Sequence, residues 1–323
     1  MQGTSQQVEH GDGPWVIAPG NHDGVHLGHR ALLRTARRVA DAHGYGTRAL
    51  TFEPHPAALI DPARAPEKLT LQPRRAELLR GAGADSVVVQ AFTREFAALA
   101  PEDFVDWLLA QGAKAIVVGP DFRFGRQRQG DVTLLKTLGS HRGFEVLIEE
   151  PVLLQNERVA SSAIRIALRR GEIGNANRML GRFHEIQGEV VEGDRRGRTI
   201  GFPTANLHPE PVLPPSDGVY AVIARQLPAA DAVGSDAGEV ELLLGVANLG
   251  TRPTFAAGRS VEVHLFDFDR DIYGTRLRVG FVERVRGEQK FSGIDELRAQ
   301  IQRDSDHARQ LLLARDRELE QWI

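Results

Sequence analysis

Two histidines three residues apart, His26 and His29, sit inside Gly20-Asn21-His22-Asp23-Gly24-Val25-His26-Leu27-Gly28-His29. Residues three apart share a helix face. Gly20, Gly24 and Gly28 let backbone come close to a ligand. A helix that opens here directs its first N–H groups and its positive dipole end at one point, which favours an anion. Two imidazoles beside such a point suit a nucleotide whose α-phosphate is under attack, since they can bind charge that develops on the phosphoryl group. A zinc pair is the alternative, but the chain has no cysteine and announces no third ligand nearby.

A second constellation lies in the later half. Thr204 and Asn206 alternate on an extended segment and project to one side. A hydroxyl and an amide oxygen are hard ligands, suited to an Mg²⁺ ion that also holds nucleotide phosphates. Glu262, within Val261-Glu262-Val263-His264-Leu265-Phe266, faces with His264 and away from Val261 and Val263. A carboxylate there can take the proton of a hydroxyl that attacks a γ-phosphate. Gly193–Arg198 reads as a basic, glycine-rich flap for phosphates, or as a hairpin with solvated arginines. Between Gly119 and Gly125, Asp121, Phe122 and Phe124 suit a pocket for a flat ring and its ribose, or merely cap the sheet. Ser161 and Ser162 open a helix as natural N-caps. With Arg165 they could also hold the outer phosphates of a nucleotide.

These residues need elements to hold them. Trp15 to Ala18 reads as a strand and Ala31 to His43 as a helix. Arg48–Phe52 is a buried strand, stopped by Glu53-Pro54-His55-Pro56 at the end where open α/β sheets bind ligands. Leu71–Arg80 and Pro101–Gln111 are helices, while Ser86–Gln90, Ala115–Val118 and Phe144–Ile148 are strands. This alternation predicts a parallel, doubly wound, Rossmann-like sheet. From Gly181 the texture changes. Strands at 188–192, 219–224, 239–248, 260–267 and 276–284 follow one another without helices, which predicts an antiparallel barrel. Gln226–Gly238 reads as a loop insertion, and Ile294–Trp322 as a long C-terminal helix broken near Asp304. The expected domains are 14–182 and 183–323.

At 323 residues, with a net charge of −3, the chain fits neither a disordered protein nor an obvious nucleic-acid binder. No apolar run is long enough to span a bilayer. The polar first 13 residues lack the apolar core of a secretory signal, and the absence of cysteine fits a cytoplasmic protein. Oligomeric state is not legible.

Taken together, Gly20–His29, Thr51–Pro56, Gly119–Gly125, Ser161–Arg165, Gly193–Leu207, Gly245–Phe255 and Val261–Gly274 form a specific ordered set. In that set the chain resembles the prokaryotic bifunctional riboflavin kinase/FMN adenylyltransferase (FAD synthetase) family, from about Trp15 to the C-terminus. Its most specific motif is Gly197-Arg198-Thr199-Ile200-Gly201-Phe202-Pro203-Thr204-Ala205-Asn206-Leu207.

The resemblance implies that riboflavin is phosphorylated to FMN by ATP, and that FMN is then adenylylated to FAD with release of pyrophosphate. It implies small-molecule partners only: ATP, riboflavin and FMN. Gly20, Asn21, Asp23, Gly24, His26, His29, Ser161, Ser162 and Arg165 would serve the nucleotide in the first domain. Gly193, Arg198 and Thr199 would serve it in the second. Pro54, His55, Pro56, Asp121, Phe122, Phe124 and Asn248 would contact flavin. Thr204 and Asn206 would hold Mg²⁺, and Glu262 would be the base. Two departures stand out: His22 where the family usually has Phe, and Ala160 where it has Ser or Thr. They suggest a rival reading as a kinase with an impaired first site. A flavin- or nucleotide-sensing module without turnover is a further rival.

Overall fold

The computed structural model describes residues 13–193, 200–228, 241–251, 259–315 and 319. The chain divides into two compact units, Met1–Ser161 and Ser162–Ile323.

In the first unit the strands are β1 (Trp15–Pro19), β2 (Gly46–Glu53), β3 (Ser86–Ala91), β4 (Ala113–Val118) and β5 (Glu145–Ile148). They form one parallel sheet in the order β3-β2-β1-β4-β5. Helices α1 (Leu27–His43), α2 (Pro56–Ile60), α3 (Arg74–Gly81), α4 (Arg94–Ala97), α5 (Pro101–Ala110) and α6 (Val132–Arg142) connect the strands. A small hairpin of β6 (Leu153–Leu154) and β7 (Glu157–Arg158) follows β5.

Both faces of β1 are buried, which explains why the strand reads as an unbroken apolar run. Ile17 joins a cluster with Leu50, Phe104 and Ile116 on one face. Val16 and Ala18 face Ala36 and Leu33 of α1 on the other. Strand order reverses between β1 and β4, so the crevice for a ligand lies at their carboxyl ends.

Two helix starts differ from the sequence expectation. Helix α1 starts at Leu27 rather than Ala31, because His26 itself is the N-cap. Helix α3 starts after Pro73 rather than at Leu71.

Helix α7 (Ser161–Arg170), all but its first residue, and α8 (Ile173–Leu180) open the second unit. Strands β8 (His184–Val191), β9 (Ala205–Pro209), β10 (Gly218–Leu227), β11 (Leu243–Thr251), β12 (Arg259–Leu265) and β13 (Arg276–Arg286) follow. They close into an antiparallel barrel in the order β10-β11-β12-β9-β8-β13. Tyr220, Val222, Ala247, Val263, Val279 and Phe281 fill its buried interior. Helix α9 (Ile294–Leu313) covers part of the outer face, with Ala308 and Leu312 packed on Val246 and Val282.

The break expected near Asp304 is absent: α9 runs through it. A mid-helix Asp tends to compete for backbone bonds. Here its carboxylate is engaged by Arg286, through Nε at 2.9 Å and NH2 at 2.8 Å, and by Gln300. Packing also groups α7 and α8 with the barrel, some twenty residues before the expected 182/183 division. The loop expected at Gln226–Gly238 starts on β10 and then passes outside the described residues.

Candidate active sites

At the carboxyl end of β1, His26 caps α1: its Nδ1 accepts from the His29 N–H at 3.4 Å. The two rings stack, centroids 3.6 Å apart and 18° from parallel. Gly28 permits this, because a Cβ there would fall 3.0 Å from the His26 ring. His22, Gly24 and Val25 all adopt left-handed backbone, φ 48°, 86° and 41°. For a β-branched valine that conformation is strained, and such strain gathers at ligand-binding turns.

The turn is braced from outside. The Asn21 carbonyl accepts from the Thr51 hydroxyl at 2.9 Å and from Arg75 at 3.1 Å. Arg75, only 2% exposed, also holds Glu53 at 2.6 Å, and Lys68 takes the other oxygen of that carboxylate. Burial pushes the Glu53 carboxyl up, but Lys68 and Arg75 outweigh it and hold it below its ordinary range. The Asn21 amide lies 3.0 Å from His55 Nε2, tying the turn to the loop after β2, where His55 caps α2.

Two expected ligand residues have partners within the protein. The buried Asp23 carboxylate accepts from the N–H groups of Leu69 and Thr70, each at 3.0 Å, which braces the turn. Phe124 is 5% exposed within the sheet core, against Phe104, and offers no open face to a flavin. Phe122 stacks on Phe124 at 5.6 Å and stays partly exposed. Asp121 is exposed and paired with Arg158. The Ser161 hydroxyl reaches back to donate to the Asp23 carbonyl at 2.8 Å. Ser162 and Arg165 stand on α7, and Arg165 is buried.

His22 is fully buried beneath the turn. Its Nε2 donates to the Ala18 carbonyl at 3.0 Å, and its ring meets His29 edge-on at 5.0 Å. Burial pushes its pKa down to about 4, Arg75 adding to that and the Ala18 bond opposing it. It therefore packs as a neutral ring and adds no charge near pH 7.

The barrel's register brings together three of the residues expected at a second site. Asn248 on β11 stands opposite Glu262 on β12, and Glu262 stands opposite Asn206 on β9. Directly opposed residues share a face with Cβ atoms about 5 Å apart. That row lies on the outer face, since Val246, two residues from Asn248, packs under α9. Gly193 closes over the row: a Cβ there would lie 2.3 Å from the Asn206 amide nitrogen. Thr204 lines an adjoining cavity of about 340 Å³ with Val190, Val263, Phe268, Asp269 and Tyr273. Arg198 and Thr199 lie outside the described residues.

Sequence reasoning passed over Arg75 and Lys68, and gave Glu53 no role of its own. Arg75 sits in a stretch that reads simply as a helix, and its one sequence signal is Glu53 just beyond a buried strand.

The chain thus joins a doubly wound α/β unit, with paired histidines at its switch point, to a closed antiparallel barrel that carries Asn248, Glu262 and Asn206 in a row on its outer face. Residues 9–163 match the FAD synthetase family model and residues 180–312 match that of riboflavin kinase. The bifunctional riboflavin kinase/FMN adenylyltransferase of Escherichia coli K12 is 40% identical over 298 residues, covering 91% of this chain and 92% of that protein. Its namesake in Bacillus subtilis strain 168 is 36% identical over 302 residues, covering 91% of each. A crystal structure titled macrolide-efflux protein, from Streptococcus pneumoniae, superposes with a TM-score of 0.81 at 30% identity, covering 91% of this chain and 93% of that one. The chain belongs to the bifunctional riboflavin kinase/FMN adenylyltransferase family. It carries both activities, and these findings support neither the kinase-only nor the binding-only reading. Among the described residues no helix is long and apolar enough to cross a membrane.

Proposed function

We propose that the row Asn248–Glu262–Asn206 is the kinase centre and the stacked pair His26–His29 the adenylyltransferase centre. The register that sets Glu262 between two amides carries the first assignment. Glu262 takes the proton of the riboflavin hydroxyl as that oxygen attacks the γ-phosphorus of ATP, and ADP leaves. Apolar walls and the rings of Phe268 and Tyr273 suit the adenine ring to the cavity beside Thr204. The Thr204 hydroxyl and the Asn206 amide oxygen would hold Mg²⁺ together with the ATP phosphates. The ion, when bound, neutralises charge on the transferring group. The close fit of Gly193 over Asn206 supports this, since it fixes the amide's direction. Asn248 contacts the flavin from the other end of the row.

At the first site a phosphate oxygen of FMN attacks the α-phosphorus of a second ATP, and pyrophosphate leaves. Because His26 Nδ1 accepts a backbone bond, the neutral ring carries its proton on Nε2 and donates it to the phosphoryl oxygens. Backbone at Gly20, Asn21 and Gly24, with Ser161, completes the anion site. Pro54, His55, Pro56, Asp121 and Phe122 border the flavin end. The use of ATP by both reactions is in keeping with a cytoplasmic enzyme.

Substituting Glu262→Gln tests the assignment. FMN formation should fall about 10²- to 10⁴-fold while FAD formation from supplied FMN persists. Kinase activity within a few-fold of the unmodified enzyme would remove Glu262 from the role.

A further inference from the structure

His264 lies two residues beyond Glu262 on β12 and shares its outer face. The pairing of β12 with β9 ends at Val263 opposite Ala205. Past that point the corner Gly201-Phe202-Pro203-Thr204 belongs to no strand, Gly201 turning at φ 89°. The corner nevertheless carries Thr204 to the cavity and leads directly into Asn206.

The His264 side chain holds the chain where the ladder stops. Its Nδ1 donates to the Pro203 carbonyl at 2.8 Å. Its ring meets Phe202 edge-to-face at 5.5 Å and 81°, and Phe266 at 5.8 Å and 74°. The contacts bind the two residues immediately before Thr204 to the strand that carries the proposed base.

We infer that His264 is a positioning residue of the kinase site, setting Thr204 and Asn206 against Glu262 by clamping the Phe202-Pro203 corner. The donated hydrogen bond fixes how far the corner lies from β12, and the ring contacts fix its tilt. His264 touches no reacting atom in this role. Its loss loosens the nucleotide end of the site more than it slows the chemistry.

The inference rests on the placement of the kinase centre, which Glu262→Gln tests separately. If that substitution leaves the kinase intact, the placement fails. If it abolishes FMN formation while the His264 variants behave as the unmodified enzyme, this inference alone fails.

The experiment measures riboflavin phosphorylation by full-length enzyme at varied ATP and fixed Mg²⁺. FAD formation from supplied FMN serves as the internal control. His264→Phe keeps a flat ring and loses the donor; its KM for ATP should rise about fivefold to tenfold, with kcat changing less and the control unchanged. His264→Asn, whose amide N–H can stand where Nδ1–H stood, should recover most of that loss. A KM within twofold of the unmodified enzyme for His264→Phe overturns the inference. So does His264→Asn being as impaired as His264→Phe, because the donor would then not be what matters. Should His264→Phe not fold, His264→Leu replaces it as the donor-free partner of His264→Asn, a side chain of similar size. Equal KM values for that pair overturn the inference.

Discussion

Gly193 and Asn206 show how one missing side chain can set a site. A methyl group at Gly193 would sit 2.3 Å from the Asn206 amide nitrogen, so Gly193→Ala must displace that amide or the backbone at 193. We expect at least about a tenfold rise in the kinase's KM for Mg²⁺-ATP, with adenylylation of supplied FMN untouched. An unchanged KM would mean that the amide moves at no cost to binding. Two histidines set a different property. His22 and His184 are each wholly buried, and burial pushes each from 6.5 to about 4, against the Ala18 and Leu213 carbonyl bonds that pull upward. The fold thus prefers the neutral ring. Between those two values the unfolded chain binds more protons, so stability is whole above about 6.5 and falls as pH drops toward 4. The loss reaches roughly 3 kcal/mol per histidine. Urea melts at pH 7.5 and 4.5 measure it, and His22→Phe should flatten part of the slope. Equal stability of the unmodified enzyme at the two pH values would contradict this.

Among the elements, α9 depends on a pair that its own sequence conceals. Asp304 read alone suggests a break, yet Arg286 on β13 binds the carboxylate and the helix continues. Removing one partner of such a pair leaves a largely buried charge behind. Because Arg286 keeps 21% of its side chain exposed, Asp304→Ala should cost ~2 kcal/mol rather than more. The denaturant midpoint reports this, and a change below about 0.5 kcal/mol would show that solvent serves Arg286 as well. Helix α3 gives the same lesson in the first unit. Its Arg75 looks like one more solvated charge in the sequence, but it is buried between Glu53 and the Asn21 carbonyl.

For the whole molecule, the question is where one machine ends and the next begins. His26 and His29 lie before residue 162, and Thr204, Asn206 and Glu262 lie after it. Helix α8 packs Ile173, Ala176, Met179 and Leu180 in buried positions. Its Asn177 amide donates to the Phe281 carbonyl at 2.8 Å and accepts from the His184 N–H at 2.7 Å. A fragment of residues 162–323 should therefore fold cooperatively and phosphorylate riboflavin. A fragment of residues 183–323 forfeits those bonds, each worth about 1 kcal/mol, and the apolar cover of α8. It should melt well below the longer fragment. Equal melting of the two would show that α8 contributes nothing to the barrel's stability.

The alternation of strand and helix before Gly181, and of strand and turn after it, is a local property, and period alone made both architectures legible. The pairing of His26 with His29, and the outward direction of Glu262 between Val261 and Val263, are likewise set by spacing along one element. Asp23, Phe124, Arg75 and His264 were not open to that reasoning. Their partners stand 46 residues away for Asp23, 54 for Arg75 and 61 for His264. Whether a carboxylate meets a phosphate or two backbone amides, and whether a ring faces a flavin or a core, depends on what the fold brings beside it. Only the closed tertiary structure supplies those neighbours, because contacts between distant segments leave no period in the chain.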